Sequence, residues 1–148
     1  MKQRVQIPVS VIRDHLKKTG TAIGLHKDGV GCFGYRVLLD DEDIGRLMLW
    51  WQHKIHTKGE SRRVIDALPS SAENTRIRPF MEGDPSRGLL PVDLRDAKGL
   101  EIVAEADNIE SERLDVIDGN HRIIAQQLKH GSFEGVPMFV CVRSKLSE

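Results

Sequence analysis

The sequence predicts an α+β fold: one domain over residues 1–148, with a mixed sheet packed against helices. Three observations lead there. Segments with apolar period two alternate with segments of period 3.6 along the chain. A length of 148 residues suits one domain and leaves room for a proper core. The C-terminal third reads strand, tight turn, helix, strand in unbroken succession.

Composition removes several classes. Lys+Arg and Asp+Glu are 22 each, so the chain is neither a strongly basic nucleic-acid coat nor an acidic solvating tail. No apolar run approaches the ~18–20 residues of a membrane span. The opening Met1–His15 is charged and alternating, without a signal-peptide apolar core, so a cytoplasmic location is expected. Two cysteines, Cys32 and Cys141, supply neither a disulfide framework nor a thiolate cluster and are expected as small hydrophobes.

Val5, Ile7, Val9 and Val11 alternate with polar residues and predict a strand over 5–12, which Pro8 pushes to a sheet edge. A short helix at Asp14–Lys18 stops at Gly20. The glycine-rich Gly20–Gly34 stretch predicts turns or a hairpin around Asp28-Gly29, leading into a strand at 35–39. Four acids, Asp40 to Asp43, suit a helix N-terminus. Ile44, Leu47, Met48, Trp51 and Ile55 then mark one face of a helix over 43–57 ended by Gly59, with Trp50 off that face. Arg62–Leu68 predicts a short helix, and residues 59–90 a long, Pro- and Gly-punctuated connection. Strands are expected at 90–94, 100–106, 114–117 and 136–142, and a helix at 121–130 with Gly131 just past its end.

The chemistry concentrates at Asp118-Gly119-Asn120-His121-Arg122. A strand that delivers a glycine turn onto a helix N-terminus makes an anion site from free N–H groups and the helix dipole. Gly119 allows close approach, Arg122 adds a fork of donors, and Asn120 and His121 add side-chain hydrogen bonds. Asp118 has the wrong charge for an anion and is the candidate catalytic carboxylate, for a metal or a hydroxyl proton. A purely structural turn, with Asp118 capping and Arg122 paired to an acid, is the competing reading.

This segment resembles the ParB/sulfiredoxin-like superfamily. The resemblance rests on Gly119-Asn120-His121-Arg122 with a small residue, Ala125, three positions on, and on the Gly135-Val136-Pro137-Met138-Phe139-Val140 strand. Ile7-Pro8-Val9 and Leu90-Pro91-Val92 match more loosely, so the specific part covers about residues 90–142. It implies a nucleotide (ATP, ADP or CTP) with Mg²⁺, bound at the turn by Gly119, Asn120, His121 and Arg122, and the Asp-Gly-x-His-Arg form is closest to the free-serine kinase and the DndB-type proteins. An NTPase or small-molecule phosphotransferase would then use Asp118. Asn120 stands where sulfiredoxin needs its cysteine, which removes sulfinic-acid reduction. No helix-turn-helix follows the last strand, so ParB-type operator binding is not expected. Glu73-Asn74-Thr75-Arg76 carries the letters of a ParB metal-and-phosphate motif but precedes the turn instead of following it, and is taken as coincidence.

The alternative is a non-catalytic module of a plasmid, phage or defence system that contacts DNA or a protein, its nucleotide site idle or regulatory. Lys54, Lys58, Arg62, Arg63, Arg76 and Arg78 form a basic span for nucleic acid, with Trp50-Trp51 beside it, whereas Glu101–Asp118 is acidic. A nuclease ranks last, because no paired-carboxylate motif supports it. His53 and His56, at i and i+3, could share a metal from one helix face, but no third ligand stands at helical spacing, so a solvated face is the expectation. Asp40–Asp43 could hold a divalent ion, although capping explains them.

Overall fold

Six strands form one mixed sheet in the order β1-β2-β6-β4-β5-β3. The structure, a computed structural model, describes residues 1–20, 32–96 and 98–143. The strands are β1 (Lys2–Ile7), β2 (Phe33–Leu38), β3 (Leu47–Met48), β4 (Ile102–Ala106), β5 (Leu114–Asp118) and β6 (Pro137–Val142). Among the described residues the α-helices are α1 (Val9–Thr19), α2 (Arg78–Glu82) and α3 (Asn120–His130). The pairs β1/β2, β2/β6 and β4/β5 are antiparallel, and β4/β6 and β3/β5 parallel. The expected 114–117 and 136–142 strands thus share the sheet. Among the described residues no helix is long and apolar enough to cross a membrane.

Both sheet faces are covered, which is why β6 reads as an unbroken apolar run. Met138, Val140 and Val142 face the larger core, with Ile123, Ile124 and Ala125 of α3 and with Phe133. Phe139 and Cys141 face the opposite way, onto Ile12 and Leu16 of α1. Burial pushes the Cys141 thiol up to about 12, with Cys32 adding to the shift. Cys141 is buried and Cys32 half-buried, in line with their expected packing role.

Four stretches depart from the pattern the sequence suggests. The 5–12 strand ends at Ile7, and α1 begins at Val9 directly after Pro8, whose φ of −61° suits a helix entry. Ile12 and Leu16 become its buried stripe, while Val5 and Val11 are exposed. The 43–57 helix is instead a 3-10 helix (Asp41–Arg46), the short strand β3 and a second 3-10 helix (Trp51–His56). Leu47 and Leu49 are fully buried and their neighbours only partly, a period-two pattern imposed by pairing Leu47 with Leu114 and by the Leu49 N–H bond to Arg62 O. Trp50, off the expected face, packs with the α1-side cluster, and Trp51 and Ile55 are left exposed. The capping role of the acids survives on the 3-10 helix: Asp40 N–H donates to Asp43 Oδ2 (2.9 Å), and Arg46 pairs with Asp43 Oδ1 (2.9 Å).

The 90–94 segment is not a ladder strand. Leu90 is exposed, and the extended chain hangs on Val92 N–H to Phe80 O (2.7 Å) and Leu94 N–H to the buried Gln126 Oε1 (2.9 Å). The short helix at Arg62–Leu68 shrinks to a 3-10 turn, Val64–Asp66. The turn or hairpin at Asp28-Gly29 lies outside the described residues.

Candidate functional site

β5 ends at Asp118, and Gly119, with φ +92°, swings the chain onto α3. A Cβ at Gly119 would stand 2.7 Å from Ile102 Cγ2 and 2.9 Å from Arg122 Nη2. The missing side chain therefore makes room for the protein's own Ile102 and Arg122, a different reason from the close approach of an anion. Asn120 is also used internally: its Oδ1 accepts from Trp50 N–H (2.9 Å) and its Nδ2 donates to Val116 O (3.2 Å), in a site only 7% exposed. The side chain expected on a ligand is a clamp between α3 and the entry to the Trp51–His56 helix.

Arg122 Nη2 lies 3.3 Å from Oδ2 of Asp118, four residues earlier at the end of β5. His15 Nε2 of α1 lies 4.0 Å from the same oxygen and 2.8 Å from Glu101 O. Asp118 thus faces Arg122 on one side and the His15 ring on the other. Arg122 Nε is buried with no hydrogen-bond partner among the described residues. Beside it, Thr19, Phe80 and residues 118–122 line a cavity of about 250 Å³. A second cavity of about 490 Å³ shares Phe80 and Arg122 with the first and is otherwise walled mainly by Leu89–Leu94 and Leu100.

His121 turns away from the part expected of it. Its ring meets His53 edge-on at 4.7 Å between centroids and lies 6.4 Å from His56. His53 and His56 stack at 6.3 Å because the element carrying them is a 3-10 helix, in which residues i and i+3 eclipse. One donor atom from each of the three lies within 4.8 Å of the others. His56 is buried and His53 and His121 are half-buried, so the group opens on the His53–His121 side. Burial, then the neighbouring histidines and Arg76, push His121 down to about 4. His53 is lowered by burial, His56 and Arg76, and His56 by burial. These shifts all run toward the neutral ring.

No family model, curated protein or solved structure matches this chain.

The basic span divides. Lys54, Lys58, Arg63, Arg76 and Arg78 are exposed. Arg62 is tied down, with Nε donating to Leu49 O (2.9 Å) and Nη2 3.5 Å from Asp115. Lys54 also pairs with Glu60 at 3.2 Å. The spacing of His53 and His56 is visible in the sequence, but their third member lies far along the chain and carries another expected role. Ser71, 3.0 Å from His56 Nδ1, and Phe80 give no local signal at all.

Proposed function

We propose that the N-terminus of α3 binds a phosphate-bearing ligand of the nucleotide class, in a domain of ParB/sulfiredoxin-like architecture. The observation that carries this is the buried, unpartnered Arg122 Nε between two adjoining cavities. A donor left unpaired costs free energy that an anion would recover. The smaller cavity, about 250 Å³, has room for a phosphate group beside the first N–H groups of α3, and the larger, walled by leucines and Phe80, suits an apolar or planar moiety. The contact set is narrower than the whole turn: Arg122 and backbone N–H groups, with Gly119 and Asn120 supporting from behind.

Mg²⁺ takes near-octahedral oxygen ligands. The turn offers Asp118 alone, already opposite Arg122 and His15, so these residues do not fit a protein-held magnesium. For Asp118 to act as a base in NTP hydrolysis or phosphotransfer, it would have to exchange those partners for a hydroxyl.

Titration with ATP, ADP, CTP and pyrophosphate tests the reading. Arg122→Ala should weaken binding by about one to two decades, since hydrogen bonds to charged groups contribute ~1.5–3 kcal/mol. Asp118→Asn should act in the opposite direction, tightening binding several-fold by releasing Arg122 from its internal partner. Absence of binding by all four probes, or indifference to both substitutions, refutes it.

A second reading has its own observation. Trp51 and Ile55 are 59% and 72% exposed on the helix that carries Lys54, with Lys58 just beyond. Exposed aromatic and basic groups together suit single-stranded nucleic acid. Replacing Lys54, Lys58, Arg76 and Arg78 together should then flatten log affinity against log salt by ~0.7 for each phosphate no longer neutralised, measured by fluorescence anisotropy on an oligonucleotide. An unchanged slope removes this reading.

A further inference from the structure

We propose that His53, His56 and His121 form a three-histidine site for a zinc-type divalent transition metal, with the fourth coordination position open. This does not depend on the phosphate reading, because it uses different atoms and needs no nucleotide.

The geometry is assembled by two independent elements. The 3-10 turn superimposes His53 and His56, as an α-helix with its 100° per residue would not. His121 comes from the first turn of α3, and the Asn120 clamp onto Trp50 N–H holds that turn against the start of the histidine-bearing helix. Around zinc, with Zn–N of ~2.0–2.1 Å, tetrahedral donors stand about 3.3 Å apart. Donor atoms already within 4.8 Å of one another reach that spacing by small ring movements.

The surroundings also suit a metal. Ser71, 7% exposed, sits 3.0 Å from His56 Nδ1. With Nδ1–H donating to Ser71 Oγ, the Nε2 lone pair is free to ligate, the arrangement by which outer groups fix a ligand's tautomer. Three neutral imidazoles with no carboxylate favour zinc, copper, nickel or cobalt over magnesium or calcium. Three protein ligands leave one position for water or an anion, as in catalytic rather than structural zinc sites.

The test uses the untagged full chain stripped with a chelator. Zn²⁺ titrated by calorimetry should bind one ion per chain. Co²⁺ in its place should give the intense visible bands of four-coordinate cobalt, and those bands should move when azide or phosphate enters the fourth position. His53→Ala and His121→Ala should each weaken Zn²⁺ binding at least about 100-fold. Ser71→Ala should weaken it about tenfold, the lower end of what outer-shell removal does. His53 is half-buried, so His53→Gln, checked by circular dichroism, keeps the comparison on folded protein. Non-saturating binding, the weak bands of six-coordinate cobalt, or unchanged affinity in His53→Gln would each overturn the proposal.

Discussion

Gly119→Ala should lower the stability of the protein by about 2–5 kcal/mol, the largest effect of any single methyl group added at the turn. Two costs add. At φ +92° an L-residue sits in the left-handed region, which costs ~1–2 kcal/mol. Its Cβ would then stand 2.7 Å from Ile102 Cγ2, a fully buried β4 side chain, and overpacking of that kind costs ~1–3 kcal/mol. Gly88→Ala separates the two. Gly88 has φ +64° and nothing within 4 Å of a built Cβ, so that variant should lose only the torsional part. Urea unfolding of both variants measures the difference. Equal losses would mean that Ile102 yields, and that Gly119 is required for its backbone alone.

The elements legible in the sequence are those whose pattern is settled locally. β4, β5, α3 and β6 fall within two residues of their expected bounds, because apolar runs flanked by Gly119, Gly131 and Gly135 leave few alternatives. The 41–57 stretch is illegible for a physical reason. Its apolar spacing satisfies an α-helix, but Leu47 gains a ladder partner in Leu114 and Leu49 one in Arg62, both beyond the reach of a helical repeat. Tertiary pairing outweighs local period. Leu90–Leu94 fails likewise, since its backbone bonds end on Phe80 O and the Gln126 side chain, which no strand pattern encodes.

The same limit governs the site. That the Asp118–Arg122 turn opens a helix is readable from its letters. What each letter does is not. A glycine at such a turn suggests space for a ligand, yet Gly119 opens space for Ile102 and Arg122. An asparagine there suggests a ligand donor, yet Asn120 is a buried tie. His53 and His56 lack a third ligand at helical spacing, and the third arrives through the fold. Spacing arguments see partners on one element, whereas sites of this kind are completed across two.

Asn120→Ala should therefore be costly in two measurable ways. It removes the acceptor of Trp50 N–H and the donor to Val116 O from a site 7% exposed. The half-buried Trp50 N–H left unsatisfied costs ~1–3 kcal/mol and the second, longer bond ~0.5–1.5, so a loss of about 1.5–4 kcal/mol is expected in urea unfolding. The second effect is positional. With the clamp gone, the first turn of α3 loses its hydrogen-bonded tie to the start of the Trp51–His56 helix. His121 then loses its registry with His53 and His56, and Zn²⁺ affinity should fall about tenfold although no ligand atom has changed, as happens when groups that orient a metal ligand are removed. Glu42→Ala, an exposed substitution on the Asp41–Arg46 3-10 helix and outside both elements, serves as the control and should leave affinity unchanged. A variant that loses stability but keeps its metal affinity would show that Asn120 supports the fold and that the histidines are held by other contacts.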